Sequence, residues 1–107
     1  MTIESAKYFD DRVQSLATTR HGRKFSVGII SPGSYRFGTA CAERMSVTSG
    51  ALRVKVEKPA LPEVAGDSPS GGGPEVVYPA GTYFEVAANS GFAVAVDEPS
   101  AYLCEYL

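Results

Sequence analysis

The sequence predicts an all-β domain, a sandwich or a barrel, built from six or more short strands. Hydrophobic residues alternate with polar ones along most of the chain, and Gly/Pro-rich turns separate the alternating segments. No segment has a convincing amphipathic helix pattern, and for residues 6–16, the best candidate, an irregular arm or short strand is favoured over a helix. The 107 residues have room for a single domain, with no substantial helix.

The predicted strands share apolar character at every second residue, as expected when one face of a strand lies in the core. Within the second of them, alternation places Tyr35, Phe37 and Thr39 on one face. The predicted strands cover residues 25–30, 35–39, 44–49, 52–57, 83–86, 92–96 and 101–107.

Residues 59–74 interrupt the strand pattern with four prolines and four glycines. Such a composition cannot sustain a strand ladder and predicts a flexible surface loop. An inert insertion in a hairpin is favoured over a lid that covers a site.

Charge and cysteine content narrow the class of protein. The net charge of −2 and pI near 5.3 predict no nucleic acid or anionic membrane as partner. The densest basic run, residues 20–24, is expected to be a solvated loop. We predict a cytoplasmic protein, because the N-terminus is polar, no long apolar run is present and the two cysteines lack C-x-x-C spacing. The small core favours a homo-oligomer.

One pattern resembles the two-part signature of the cupins. Glu43 is followed after six residues by Gly50, and Pro79-Ala80-Gly81 is followed by Phe84 three residues later. The resemblance implies a jelly-roll-like β-barrel whose motif side chains point inward. In cupins, three histidines and the Glu of this signature hold a metal ion.

The histidines of the signature are replaced in this chain. Phe37, Thr39 and Phe84 stand at their positions, and the single histidine, His21, lies in the basic run. One carboxylate without imidazole or thiolate does not make a transition-metal site. The sequence therefore predicts no metal, and a metal-dependent cupin oxygenase or isomerase is nearly excluded.

A finer pattern resembles the pyrimidine/purine nucleoside phosphorylase family of small cupins. It runs through residues 35–39, 43–54, 80–92 and 98–107, and departs from the family at Ala87, where a proline is usual, and in the 59–74 insertion. The resemblance implies that purine and pyrimidine nucleosides react with phosphate to give free base and pentose 1-phosphate. It also implies phosphate as co-substrate, no other cofactor, broad specificity and a homodimer.

Phosphorolysis needs groups that hold the sugar and phosphate and stabilise an oxocarbenium-like charge. Glu43 could bind the ribose hydroxyls or stabilise the developing cation. Thr39 and Tyr35 could hydrogen-bond to sugar, base or phosphate. Ser49 and Ser90 are further candidate substrate contacts. Arg44 is a weak phosphate candidate, since a regular strand turns it away from Met45, and Arg36 is placed outside the barrel.

Aromatic side chains at inward positions could stack on any base, which suits a broad-range enzyme. The candidates are Phe37, Phe84 and Phe92, although ordinary core packing is favoured for each taken alone. Cys41 is expected to share the face of Thr39, and Cys104 to be a buried thiol rather than a nucleophile. A non-catalytic cupin that binds a nucleoside or sugar needs the same pocket, so the sequence leaves that alternative open.

Overall fold

The computed structural model describes residues 2–57 and 74–107 as ten β-strands joined by turns, with no helix in these ranges. Nothing in them could therefore span a bilayer as an apolar helix. The 59–74 loop predicted from composition lies almost entirely outside the described residues. In chain order the strands are β1 Glu4–Tyr8, β2 Val13–Arg20, β3 Arg23–Ile30, β4 Gly33–Thr39, β5 Glu43–Ser49, β6 Ala51–Val56, β7 Val76–Pro79, β8 Tyr83–Val86, β9 Ser90–Val96 and β10 Ser100–Tyr106.

The strands form two antiparallel sheets. The larger sheet has the order β1-β2-β3-β10-β5-β8 and the smaller has the order β4-β9-β6-β7. Sequential neighbours such as β5 and β6 lie in different sheets, as in a jelly roll. The predicted all-β jelly-roll-like fold is confirmed, but within residues 2–57 and 74–107 no ladder joins the two sheets, so the arrangement is an open sandwich rather than a closed barrel.

The inner faces of the two sheets supply a single core. Alternation along each strand sends every second side chain inward, which is why the predicted apolar faces coincide with the buried residues. The fully enclosed members with the largest side chains are Phe92, Ile30, Leu52, Val13, Val54, Val86 and Val94.

Gly50 forms the corner at which the chain leaves the larger sheet for the smaller one. Its φ of 77° is a left-handed conformation, and a Cβ here would lie 2.3 Å from Ser100 Oγ. That hydroxyl accepts a hydrogen bond from Ala51 N at 3.2 Å, which ties the corner to the start of β10. The turn predicted at this glycine is therefore a sheet-to-sheet crossing rather than a hairpin.

The N-terminal region and β7 carried weak strand signals in the sequence. Residues 4–8 pair with residues 13–17 as an antiparallel hairpin, so the short-strand interpretation of residues 6–16 is confirmed. Strand β7, residues 76–79, was not predicted because it is short, largely exposed and ends in proline.

Candidate functional site

Polar side chains converge at one end of the interior. Glu43, the first residue of β5, pairs in register with Val86 on β8 and with Tyr106 on β10. Thr39, the last residue of β4, donates its hydroxyl to the carbonyl of Ala87 at 2.6 Å, directly after Val86. Thr39 also pairs in register with Ser90 on β9, so the ends of five strands lie together. We call this region the polar end; its members are Thr39, Glu43, Ser90 and Tyr106.

Thr39 also receives a hydrogen bond at the polar end. The backbone nitrogen of Ser90 donates to its hydroxyl oxygen at 3.0 Å. Asn89, just before it, has a φ of 55°, the left-handed conformation that asparagine tolerates in tight turns. The Thr39 hydroxyl therefore fastens β4 to the connection between β8 and β9, and in this state its proton is committed to Ala87.

Glu43 is half-buried and faces the core. The Cys104 thiol donates a hydrogen bond to Glu43 Oε1 at 3.5 Å. Burial raises the pKa of Glu43, while the thiol hydrogen bond lowers it by a smaller amount. In its ionised form, the Glu43 carboxylate can accept hydrogen bonds from sugar hydroxyls or stabilise a developing cation.

Cys104 is a buried thiol, as predicted. Burial, and then the negative charge of Glu43, raise its pKa well above that of a free cysteine. A nucleophilic cysteine needs the thiolate form. The thiol is therefore a hydrogen-bond donor to Glu43 and not a nucleophile.

Tyr106 continues the polar end along β10. Burial raises the pKa of its phenol to about 12, and a hydrogen bond with Ser26 opposes this rise. The Lys24 ammonium lies 5.4 Å from the centre of the Tyr106 ring. One phenol thus links a buried hydroxyl on β3 to a cation near the surface.

Aromatic rings form a continuous chain through the interior beside the polar end. Phe37 stacks on Phe92 with ring centres 5.4 Å apart, and Phe92 meets Phe84 edge to face at 5.3 Å. Phe84 and Phe92 are 4% and 2% exposed, so both are core residues. Phe37 is only partly buried and contacts the exposed Phe9 at 5.4 Å, so it is the most accessible of these three rings.

Two predicted site residues lie away from this end. The Tyr35 hydroxyl donates to the carbonyls of Ser31 and Pro32 at 2.8 and 3.1 Å, so it fastens the turn before β4. Ser49 is exposed at the end of β5 opposite Glu43, rather than continuing its inner face. Six strand residues span about 20 Å, so Ser49 and Glu43 cannot contact the same sugar.

Arg44 lies on the outer face of the larger sheet. Its guanidinium bonds to the Glu85 carboxylate at 2.7 Å and stacks over the ring of Tyr83 at 5.2 Å. Arg36 likewise pairs with Glu57 at 2.6 Å, outside the sandwich as predicted. The structure therefore does not bring Arg44 to the polar end.

Histidine and cysteine positions bear on metal binding. His21 occupies the turn between β2 and β3 with a φ of 53°. Cys41 is exposed, because β4 ends at Thr39 and the alternation that would have put both on one face stops there. Within residues 2–57 and 74–107, no three side chains of His, Cys, Asp or Glu are grouped as metal ligands.

Comparison with known proteins places this chain in a family. The family model described as pyrimidine/purine nucleoside phosphorylase matches residues 3–68, which include Phe37, Thr39 and Glu43. A pyrimidine/purine nucleoside phosphorylase of Sorangium cellulosum is 42% identical over 98% of this chain and 99% of its own. One from Aliivibrio fischeri is 40% identical over 100% and 99%.

The chain belongs to the pyrimidine/purine nucleoside phosphorylase family. The resemblance recognised in the sequence is confirmed, and with it the prediction of an enzyme of this type. The relatives extend over β10, so the similarity includes the strand that carries Cys104 and Tyr106.

Solved structures agree on the fold. The crystal structure of a Vibrio parahaemolyticus protein of unknown function has a TM-score of 0.83 and 39% identity, and covers 100% of both chains. An RmlC-like cupin from Shewanella frigidimarina has a TM-score of 0.69 at 13% identity, over 97% of this chain and 82% of its own. This second likeness shows the cupin-like fold alone.

Sequence reasoning missed Ser26, Lys24 and the role of Tyr106. Alternation from Ile30 back along β3 places Ser26 and Lys24 on the inner face. The predicted strand at residues 25–30 included Ser26, and a strand extended to residue 24 would have included Lys24. The basic run at residues 20–24 was instead expected to be a solvated loop. Only His21 and Gly22 form the turn, and Lys24 belongs to the strand.

A cleft of about 620 Å³ lies elsewhere, against β1, β2, β3 and β10. Its walls include Leu16, Val27 and Ile29 on the outer face of the larger sheet, together with Ser15 and Tyr102. None of the residues predicted to bind substrate lines it. Volume alone does not make this cleft the active site, because it lacks the inward carboxylate of the polar end.

Proposed function

We propose that this protein is a metal-independent nucleoside phosphorylase of broad specificity that acts at the polar end of the sandwich. The observation that carries the proposal is Glu43, a half-buried carboxylate that faces the interior, in a chain of the phosphorylase family whose core is also bordered by the partly buried Phe37. The substrates would be purine or pyrimidine nucleosides and inorganic phosphate.

The reaction exchanges one bond at the sugar carbon C1′. A phosphate oxygen forms a bond to C1′ as the bond from C1′ to the base nitrogen breaks, and that electron pair stays on the base. The proton of HPO₄²⁻ ends on the base nitrogen, so the products are free base and pentose 1-phosphate. The sugar becomes cationic in the transition state, and a preorganised carboxylate stabilises such charge in a site of low dielectric.

In this proposal, Glu43, Phe37 and Thr39 have different roles that follow from their positions. Glu43 faces the sugar, and the Cys104 thiol orients its carboxylate through the 3.5 Å hydrogen bond. Phe37 offers a ring face to the base, and stacking of this kind accepts purines and pyrimidines alike. Thr39 holds the neighbouring strand ends in place through its bonds to Ala87 and Ser90.

The test is phosphate-dependent base release. Chelator-treated protein is incubated with a panel of purine and pyrimidine nucleosides, and base release and phosphate consumption are both measured. We expect release from both classes only when phosphate is present. Release without phosphate would indicate hydrolysis, loss of activity on chelation would indicate a metal, and no release from any nucleoside would leave a non-catalytic binding protein.

We also propose that the protein is a homodimer assembled through the outer apolar patch, defined as Leu16, Val27 and Ile29. These side chains are 52%, 44% and 57% exposed and share the outer face of β2 and β3. A twofold dimer lays one patch against its own copy, and the uncharged centre of this patch opposes no like charges. A second copy is therefore a suitable occupant.

Ile29→Asp is expected to convert the dimer to a monomer, because it would bury two carboxylates against each other. The matched control is Val77→Asp on β7 of the other sheet, since Val77 is 56% exposed against 57% for Ile29. Sedimentation velocity measures the outcome. A monomeric wild type, or equal effects of the two variants, would contradict the proposed interface.

The two free thiols support a cytoplasmic location. Cys41 is exposed and Cys104 is buried, so they do not form a disulfide with each other. Proteins with unpaired thiols of this kind are typical of reducing compartments.

A further inference from the structure

A phosphorylase needs positive charge for its phosphate, and the arginines of strands β4, β5 and β6 are engaged elsewhere. Each of three arginines projects from an outer face into an ion pair of 2.6–2.7 Å with a carboxylate. The negative charge of Glu105 on the neighbouring strand also interacts with the Arg44 guanidinium. Phosphate at these positions would have to displace or oppose a carboxylate; the three pairs are Arg36–Glu57, Arg44–Glu85 and Arg53–Asp97.

Lys24 is placed differently. It is the second residue of β3, and alternation from the buried Ser26 and Ile30 puts it at an inner-face position. Its ammonium lies over the Tyr106 ring at 5.4 Å, and in the described part of the chain no carboxylate lies within ion-pair distance of it. Lys24 is thus an exposed cation at the rim of the polar end.

The sheet register sets the spacing between Lys24 and Glu43. Strands β3, β10 and β5 are adjacent, and Tyr106 on the middle strand pairs with Glu43. The last pair between β10 and β3 joins Glu105 to Phe25, so Lys24 lies one step further, beside Tyr106. Two strand spacings are about 10 Å, enough for a sugar at the carboxylate and a phosphate at the ammonium.

A second donor stands next to Lys24. Thr19 on β2 is its direct register partner and points to the same face. A lysine ammonium binds phosphate as a point charge, and a neighbouring hydroxyl adds a hydrogen bond. The Tyr106 ring next to the ammonium carries no carboxylate that would oppose an anion.

We propose that Lys24 binds the phosphate co-substrate at the rim of the polar end, an inference that rests on the proposed phosphorylase function. The phosphate lies between this ammonium and C1′ of the sugar, while Glu43 faces the pentose. The charge of Lys24 is then needed for phosphate and not for nucleoside.

The test separates the two substrates kinetically. We expect Lys24→Met to raise the KM for phosphate about 10-fold or more, with the KM for nucleoside within twofold. Lys24→Arg should restore much of the phosphate affinity. The control is Lys55→Met, which removes an exposed lysine from the outer face of β6 and should leave both constants unchanged.

Direct phosphate binding provides a readout that does not depend on turnover. Titration calorimetry with inorganic phosphate should show binding to the wild type and Lys55→Met that is weakened in Lys24→Met. Wild-type phosphorolysis with an unchanged phosphate KM in Lys24→Met would overturn this inference and leave the function standing. Phosphate binding that depends on Lys24 but occurs without turnover would support the phosphate site at Lys24 and overturn the proposed phosphorylase function. Phosphate binding that is absent, or that does not depend on Lys24, would overturn the phosphate site.

Discussion

Glu43→Gln is expected to lower kcat by about 100-fold or more, because an amide cannot stabilise the cationic sugar as a carboxylate does. The fold should survive, since glutamine has the same shape and its carbonyl can still accept the Cys104 hydrogen bond. Steady-state kinetics with saturating phosphate measure the loss. The control is Glu105→Gln, which removes a carboxylate from the outer face of β10.

The pH profile provides a second measure of the same carboxylate. In the proposed mechanism the ionised form of Glu43 is the active one, so kcat should fall as the pH drops through the pKa of Glu43. Because burial raises that pKa, the acid limb should lie at a higher pH than for an exposed glutamate, and Glu43→Gln should lack it. A variant with wild-type kcat and an unchanged acid limb would remove Glu43 from the mechanism.

The raised pKa of Glu43 also predicts how the stability of the fold depends on pH. A folded-state pKa raised above the unfolded value favours folding at acid pH, and the benefit is lost as pH rises through the folded pKa. The Glu43 carboxylate therefore costs stability at neutral pH. Urea unfolding at pH 7 should find Glu43→Gln at least as stable as the wild type, which would distinguish lost catalysis from lost folding.

Phe92→Ala is expected to lower the free energy of unfolding by about 3–5 kcal/mol, because it removes an enclosed ring from the centre of the aromatic chain. Phe92 is 2% exposed and packs between Phe37 and Phe84. Urea unfolding measures the loss. A cost below about 1 kcal/mol would show that Phe92 borders an accessible cavity and not the core.

Phe37→Leu is the matched comparison for a reachable ring. Leucine fills much of the same volume, so the loss of stability should be smaller than for Phe92→Ala. Removal of the stacking face should raise the KM for purine and pyrimidine nucleosides alike, with the phosphate KM unchanged. An unchanged nucleoside KM would assign Phe37 to packing alone.

The strand pattern could be predicted wherever one face of a strand is buried. Residues 25–30, 35–39 and 92–96 alternate because each contributes an inner face to the core, and all three are strands. β7 escaped prediction because most of it is exposed, and exposed strands need no apolar alternation. The corner at Gly50 was visible as a turn, but its change of sheet was not.

The candidate site could be predicted only in part. Residues that share one face of a strand can still lie too far apart along it to belong to one site. Glu43 and Thr39 lie at the same end of the sandwich because β5 begins beside residue 86 and β4 ends beside residue 87. Tyr35 shares the face of Thr39 but lies four residues away, about 13 Å along the strand, where its hydroxyl fastens a turn.

By itself the sequence determined the all-β class, the inward faces of the strands, the family, and the loss of the cupin histidines, because each depends on residue type and local spacing. The tertiary structure alone decided which inward residues share one end of the sandwich. It joined Glu43 to Cys104 across 61 residues, placed Lys24 beside Tyr106, and turned Arg44 toward Glu85. Such pairings arise from the order and register of strands distant in sequence, which local periodicity does not encode.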